Sequence, residues 1–381
     1  MRAFFLIFFA IFGLINFYIF IRGLQSIPEG SGLRDAYTII FWIIACSFIG
    51  GRLFEYWLPS AIANLFIWMG SFWIAAMVYF LIAVISLDLL RLINHFLPIF
   101  PPTIAENYPQ AKYFASVVVM GCVGILLLAG HVNALLPRVK TLNLSIEKKA
   151  GGLQEIDIVA VSDIHLGEIV GRARIEGIVD KINSLNPDLV LMPGDILDED
   201  LSPAGRQSIG EPLRNIRSRF GVYASPGNHE YISGISQASS YLAKHKIVLL
   251  RDESVKIADS FIIVGRDYPS SGGRDPQRKD LSELMMDLDK TCPVILMDHA
   301  PSAFREAAAQ GVNLQISGHT HNGQLWPVNY IVGAIYEVAW GYEKIDNTHL
   351  YVSNGVGTWA PPVRIGNRPE IVHIHVKFQG S

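Results

Sequence analysis

Hydrophobic and polar positions follow different rules in the two parts of the chain. Up to Pro137 the apolar residues come in long runs that leave no face polar. Four of these runs, at residues 3–21, 36–58, 61–87 and 113–136, predict membrane-spanning helices, since a span needs about 20 mostly apolar residues. Phe and Ile cover every side of the runs, which a helix on the surface of a soluble protein does not do. Each run gives way to a charge or a proline: Arg22, Pro59, Arg91 and Pro137. The first run also resembles a secretion signal. Its long apolar core and lack of a small-residue cleavage site predict an uncleaved anchor instead.

From Glu155 onward, short apolar runs alternate with helical spacing. Residues 156–161, 189–192, 221–224, 261–264, 294–297 and 314–316 predict strands, and 371–378 a half-exposed one. Residues 175–185 and 235–246 predict helices. The mixed order predicts a layered α/β domain over residues 138–381, preceded by a transmembrane module over residues 1–137.

Composition sharpens this division. Half of the residues are hydrophobic and 17% are charged, against about 25% charge in an average soluble domain. This excludes a disordered chain and disfavours a freely soluble one. Residues 1–137 hold only six of the 31 Lys/Arg and five of the 34 Asp/Glu. A net charge of -3 with no basic stripe gives no reason to expect nucleic acid as a partner. Three cysteines build no disulfide framework, and Cys292, just before Pro293, reads as a core residue. Four spans put both ends of the module on one side of the bilayer. That side would carry Arg2, Arg52, Arg138, Lys140, Lys148 and Lys149, against Arg22, Arg34, Arg91 and Lys112 on the other. The count favours a multi-pass inner-membrane protein with its polar half in the cytoplasm. Asp88 and His131, near span ends, are expected at the membrane interface.

The early strands run into polar clusters that a strand end does not require. These are Asp163-Ile164-His165, Gly194-Asp195-Ile196-Leu197-Asp198, Gly227-Asn228-His229-Glu230, Asp298-His299 and Ser317-Gly318-His319-Thr320-His321. Ligands of open α/β sheets gather at the carboxyl ends of strands, so the five clusters are expected to converge. Five of the 11 histidines lie in them. Carboxylate, imidazole and amide donors suit divalent Mn, Fe or Zn. Asp163-x-His165 and His319-x-His321 are expected to place both side chains on one side of an extended segment. Gly194, Gly227 and Gly318 are expected to permit tight turns. Six or seven ligands exceed the need of one ion, which implies two ions sharing a carboxylate.

This ordered set resembles the signature of the calcineurin-like metallophosphoesterases. The resemblance covers about residues 140–378 and leaves the four-span module outside it. The run Gly318-His319-Thr320-His321-Asn322-Gly323-Gln324, with the tail Pro362-Val363-Arg364-Ile365 and Arg368-Pro369-Glu370-Ile371, is similar to the bacterial branch of membrane-anchored or exported phosphodiesterases. That branch often has glycine where Asn322 stands here. The resemblance implies a four-layer α/β/β/α sandwich holding two divalent ions, Mn favoured over Fe or Zn. It implies that Asp163, His165 and His321 hold one ion, that Asn228, His299 and His319 hold the other, and that Asp195 bridges them. A hydroxide between the ions would attack phosphorus, and His229, itself no ligand, would assist the leaving oxygen. Asp198 would fix a loop or cap a helix.

Arg266, Asp267 and the irregular stretch 268–279, with Arg274, Arg278 and Lys279, read either as a lid over the substrate or as a solvated loop. Arg206, Arg214, Arg217 and Arg219 flank Leu213, Ile216 and Phe220, as on a helix resting on anionic lipid or on an ordinary amphipathic helix. Trp326, Trp340, Tyr342 and Trp359 either line an apolar groove or fill the core. Four spans are more than tethering requires. A lipid-linked phosphodiester or pyrophosphate in the bilayer is therefore the expected substrate. A soluble phosphoester, or a metal-binding scaffold without catalysis, is the alternative.

Overall fold

Long apolar runs become helices because a helix satisfies its backbone groups within its own segment, as lipid requires. In the computed structural model, residues 2–198, 208–269 and 278–379 are described, with side chains from residue 6 onward. Arg274 and Arg206 lie outside the described residues, as does most of the 268–279 stretch. The chain divides into two compact units, Met1–His131 with Ala360–Val363, and Val132–Trp359 with Arg364–Ser381.

The first unit is built from α1 (Arg2–Leu24), α2 (Leu33–Phe54), α3 (Ser60–Phe96), the short α4 (Pro102–Glu106) and α5 (Tyr108–Ala134). Four of these helices are long and apolar enough to cross a membrane. Several boundaries differ from expectation, α5 for instance starting at Tyr108 rather than residue 113. The helix α2 ends at Phe54 rather than residue 58, because Leu58 precedes Pro59 and is pushed out of helical geometry. The helix α3 continues past Arg91 to Phe96, a cation near a helix C-terminus being favourable. Leu6, Ile39, Leu65, Phe114 and Ile125 point outward and stay exposed, as lipid contact requires. Polar groups are matched inside: Trp73 Nε1 donates to Asn16 Oδ1 at 2.8 Å, and Arg22 pairs with Asp88 at 2.7 Å. Helices α2 and α3 meet backbone to backbone at Gly70, where a Cβ would lie 2.2 Å from Phe48 N.

The second unit begins with β1 (Arg138–Ile146), β2 (Glu155–Ala160), α6 (Arg172–Ser184), β3 (Leu189–Pro193) and β4 (Val222–Ser225). There follow α7 (Asn228–Ile232), α8 (Ile235–Lys244), β5 (Ile247–Leu249), β6 (Glu253–Ile257), β7 (Phe261–Gly265), α9 (Leu281–Leu284) and β8 (Val294–Met297). The remainder is α10 (Phe304–Gln310), β9 (Leu314–Ser317), α11 (Val328–Ile335), β10 (Gly341–Ile345), β11 (Thr348–Val352) and β12 (Glu370–Phe378). One six-stranded sheet has the order β1-β12-β2-β3-β4-β5, the other β10-β11-β9-β8-β7-β6. Strands β2 to β5 run parallel, as do β7, β8, β9 and β11. The carboxyl ends of β2, β3 and β4 therefore gather at one edge of the first sheet, and those of β7, β8 and β9 at one edge of the second.

Alternation along the strands makes the layers. Phe261 and Ile263 of β7 join Ile156, Ile158, Leu189, Leu191 and Ile374 in the core between the sheets. Ile262 and Val264 point the other way and pack with Val294, Leu281, Met285 and Ala307. Cys292 belongs to that outer cluster, as its position before Pro293 predicts. On the far side, α6 buries Ile175, Ile178, Val179 and Ile182. The result is the α/β/β/α sandwich. Among the described residues the basic set around Leu213 forms no long helix: Glu211–Asn215 is a short 3-10 turn.

Candidate metal centre

Two loops are zipped together at the end of the first sheet. Asp163 N donates to Gly194 O at 3.1 Å, His165 N to Asp195 O at 3.0 Å and Leu166 N to Ile196 O at 2.8 Å. This continues β2–β3 pairing beyond the strands and sets Asp163, His165 and Asp195 side by side. The segments are not extended as the spacing predicts. Asp163, His165, Asp195, His319 and His321 all have φ between 48° and 75°, in the left-handed region that Asp and His enter more readily than most residues. Side chains two apart converge through these kinks. Such backbone strain concentrates at functional sites.

The glycines also act differently from expectation. Only Gly194 of the three has positive φ, at 80°. Gly227 and Gly318 make room instead: a Cβ on them would lie 2.2 Å from Asp195 Oδ1 and 2.3 Å from Asp163 Oδ2.

The structure brings all seven expected ligands together, in overlapping groups. Donor atoms of Asp163, His165 and His321 lie within 4.8 Å of one another, and so do those of Asp195, His299 and His319. A third such group, His165, Asp195 and His229, joins the two. Asp195 Oδ2 is 3.0 Å from His299 Nε2 and 3.9 Å from His165 Nε2, so it stands between the groups. Asn228 Oδ1 lies 3.0 Å from His319 Nδ1, on the second side. His229 Nδ1 donates to the Asp198 carbonyl at 2.6 Å, which leaves its other ring nitrogen for the site.

Burial and mutual charge set the protonation of these groups. Burial lowers the His319 pKa to about 4, with His299 adding to the effect. His321 is held well below the ordinary value by burial and by Arg364. Burial disfavours the His299 cation, but Asp195 beside it outweighs this and raises the pKa to about 10. Burial opposes ionisation of Asp195, yet His299, His165 and His229 hold its carboxyl well below the usual range.

The donor set suits divalent cations. Asp163 Oδ2 is buried and has no hydrogen-bond partner among the described residues. His165 Nε2 and His321 Nε2 face each other at 2.9 Å beside it. Imidazole and carboxylate donors turned inward at this density are the arrangement a cation completes.

Sequence reading missed three supporting residues. Glu230, fully buried, accepts N–H from Asp195, Ile196, Leu197 and Gly227. Arg364, also fully buried, has its guanidinium 3.0 Å from His321 Nδ1 and donates to the carbonyls of His321 and Gly357. Glu370 accepts from Tyr351, Trp340 and Asn354. The local signals were the Gly227-x-x-Glu230 capping spacing and the Arg364 and Glu370 of the tail motif. Asp198 stands beside the centre: its carboxylate lies 3.3 Å from His165 Nδ1 and 3.4 Å from His229 Nδ1.

The predicted substrate contacts among the described residues, Arg266, Asp267 and Arg278, are occupied within the domain. Arg266 and Arg278 converge on Asp298, and Asp267 binds the Tyr231 hydroxyl and Arg251. Tyr268 is nearer the centre, its ring 5.9 Å from that of His299. Trp326, Trp340, Tyr342 and Trp359 do not fill the core; all four are exposed.

A sandwich with histidines and carboxylates buried at its strand ends offers donors that suit divalent cations. Residues 156–323 match the family described as calcineurin-like phosphoesterase. An "Uncharacterized metallophosphoesterase" of Aquifex aeolicus (strain VF5) is 33% identical over 255 residues, covering 66% of this chain and 96% of that protein. A "Transmembrane protein with metallophosphoesterase domain" of Danio rerio is 31% identical over 291 residues, covering 71% of this chain. The chain spans 65% of that relative's length. It belongs to the metallophosphoesterase family, and with its four apolar helices it is a membrane protein.

Proposed function

We propose that the chain is a phosphodiesterase or pyrophosphohydrolase working with two divalent ions, Mn favoured, on a lipid-linked substrate. The observation that carries this reading is the position of Asp195 between two groups of buried ligands. Asp163, His165 and His321 would hold one ion, and Asn228, His299 and His319 the other, with Asp195 serving both. When bound, the ions supply positive charge against the phosphate oxygens and lower the pKa of water.

The chain's own residues do the rest. His321 is kept neutral by burial and Arg364, the form in which a histidine ligates. Glu230 fixes the backbone that presents Asp195. His229, anchored through Nδ1 on the Asp198 carbonyl, would offer its other ring nitrogen to the leaving oxygen. Help of this kind is worth about 10²–10⁴-fold in rate.

Two rings support a lipid-linked substrate. Trp359 lies 6.0 Å from His229, and Tyr336 lies 6.2 Å from His319. Apolar surface thus begins at the edge of the centre, as a substrate with an acyl or prenyl chain requires. The Lys/Arg distribution supports a cytoplasmic placement of this unit. The test is release of soluble product from phosphatidylcholine vesicles carrying lipid-linked diesters or pyrophosphates, using the reconstituted full chain. Metal-dependent release supports the reading. Turnover of nucleotides with none of any lipid would overturn it.

A further inference from the structure

We propose that α11 and the tryptophans around it form a lipid-binding surface that inserts into one leaflet of the bilayer. Elsewhere the second unit buries most of its apolar residues by alternation along its strands. From Arg138 onward, ten large apolar side chains are exposed among the described residues, and seven of them fall between Trp326 and Trp359. No residue of α11 is buried. Tyr330, Ile331 and Ile335 are 68%, 61% and 68% exposed. No charged residue occurs from Leu325 to Tyr336. A contiguous apolar surface of this kind marks an interaction site.

Two observations choose a bilayer as that partner. Only three residues, 135–137, separate the last apolar helix from β1. They reach at most about 10 Å, so a lipid surface is always within range of this unit. The composition of the patch is also that of a membrane interface, where Trp and Tyr sit at head-group level and aliphatic residues below. The patch adjoins the centre directly. Helix α11 packs on the turn that carries His321, a Cβ on Gly323 falling 2.5 Å from Asn329 N. Docking through α11 would therefore present the ligand cluster to the head-group layer. This goes beyond the proposed reaction, because it holds whatever phosphoester is cleaved.

The test labels the full chain in phosphatidylcholine vesicles doped with a phosphatidylcholine that carries a photoactivatable diazirine in its acyl chain. Labelled peptides are mapped by mass spectrometry, with the four spans as internal control. The expected result is label on residues 326–340 as well as on the spans. In a chain carrying both Ile331→Asp and Ile335→Lys, label on 326–340 should fall about fivefold or more relative to the spans, charges being strongly disfavoured in the acyl layer. Both positions are exposed, so folding is not at stake. Label confined to the spans would overturn the proposal, and so would equal labelling of 326–340 in the double variant. The outcome does not depend on activity, so failure of the lipid-linked substrate would leave it standing.

Discussion

Replacing Glu230 by Gln tests how the centre is held. The Glu230 carboxylate is fully buried and accepts four backbone N–H groups. Oε1 takes Ile196 and Leu197 at 2.8 and 3.0 Å; Oε2 takes Asp195 and Gly227 at 2.9 and 2.7 Å. Glutamine keeps one oxygen and turns an amide donor toward the other pair. Two buried N–H groups then lose their acceptor, at about 1–3 kcal/mol each. Burial raises the Glu230 pKa, so removing the charge returns part of that loss. The net cost is about 2–4 kcal/mol, and it falls on the loop that presents Asp195. If half of it is felt at the centre, metal affinity drops roughly 5- to 30-fold, tenfold being about 1.4 kcal/mol. Chelator-competition titration of the full chain measures the affinity, and thermal unfolding of the second unit reports the stability. Unchanged metal affinity together with an unchanged unfolding temperature would refute the reasoning.

Other outcomes follow from the same geometry. Asp195→Asn should lose bound metal and activity together, whereas His229→Ala should keep its metal and lose about 10²–10⁴-fold in rate; metal analysis of the two variants separates the roles. Gly227→Ala would place a methyl 2.2 Å from Asp195 Oδ1 and should lower metal loading, while Gly171→Ala, with nothing within 4 Å, should not. In the metal-free protein His299 stays protonated up to a pKa of about 10, and a ligand must lose that proton. Affinity should therefore rise with pH, by up to about tenfold per unit between pH 7 and 9, with proton release seen in calorimetry; a flat or falling profile contradicts this.

Much of the centre was legible because its ligands break strand patterns. Nothing in a strand end calls for Asp163, His165, His299 or His319, so their chemistry stood out. What escaped was long-range. Strand β1 pairs with β12 more than 220 residues away, and no local feature of residues 138–146 names that partner. Glu230 draws three of its four partners from a loop 33–35 residues earlier. The left-handed kinks at Asp163 and His165 arise from pairing with the next loop, which periodicity does not encode. The tryptophans were ambiguous because apolar side chains that fill a core and those that meet lipid have the same composition.

Metal content measured against hydrolysis tests the central claim. The full chain, stripped by a chelator, is titrated with Mn while bound ions per chain and cleavage of bis-p-nitrophenyl phosphate are followed together. The account predicts no cleavage without metal and full activity only as loading approaches two ions per chain. Cleavage by the stripped protein, or full activity at one ion, would contradict it.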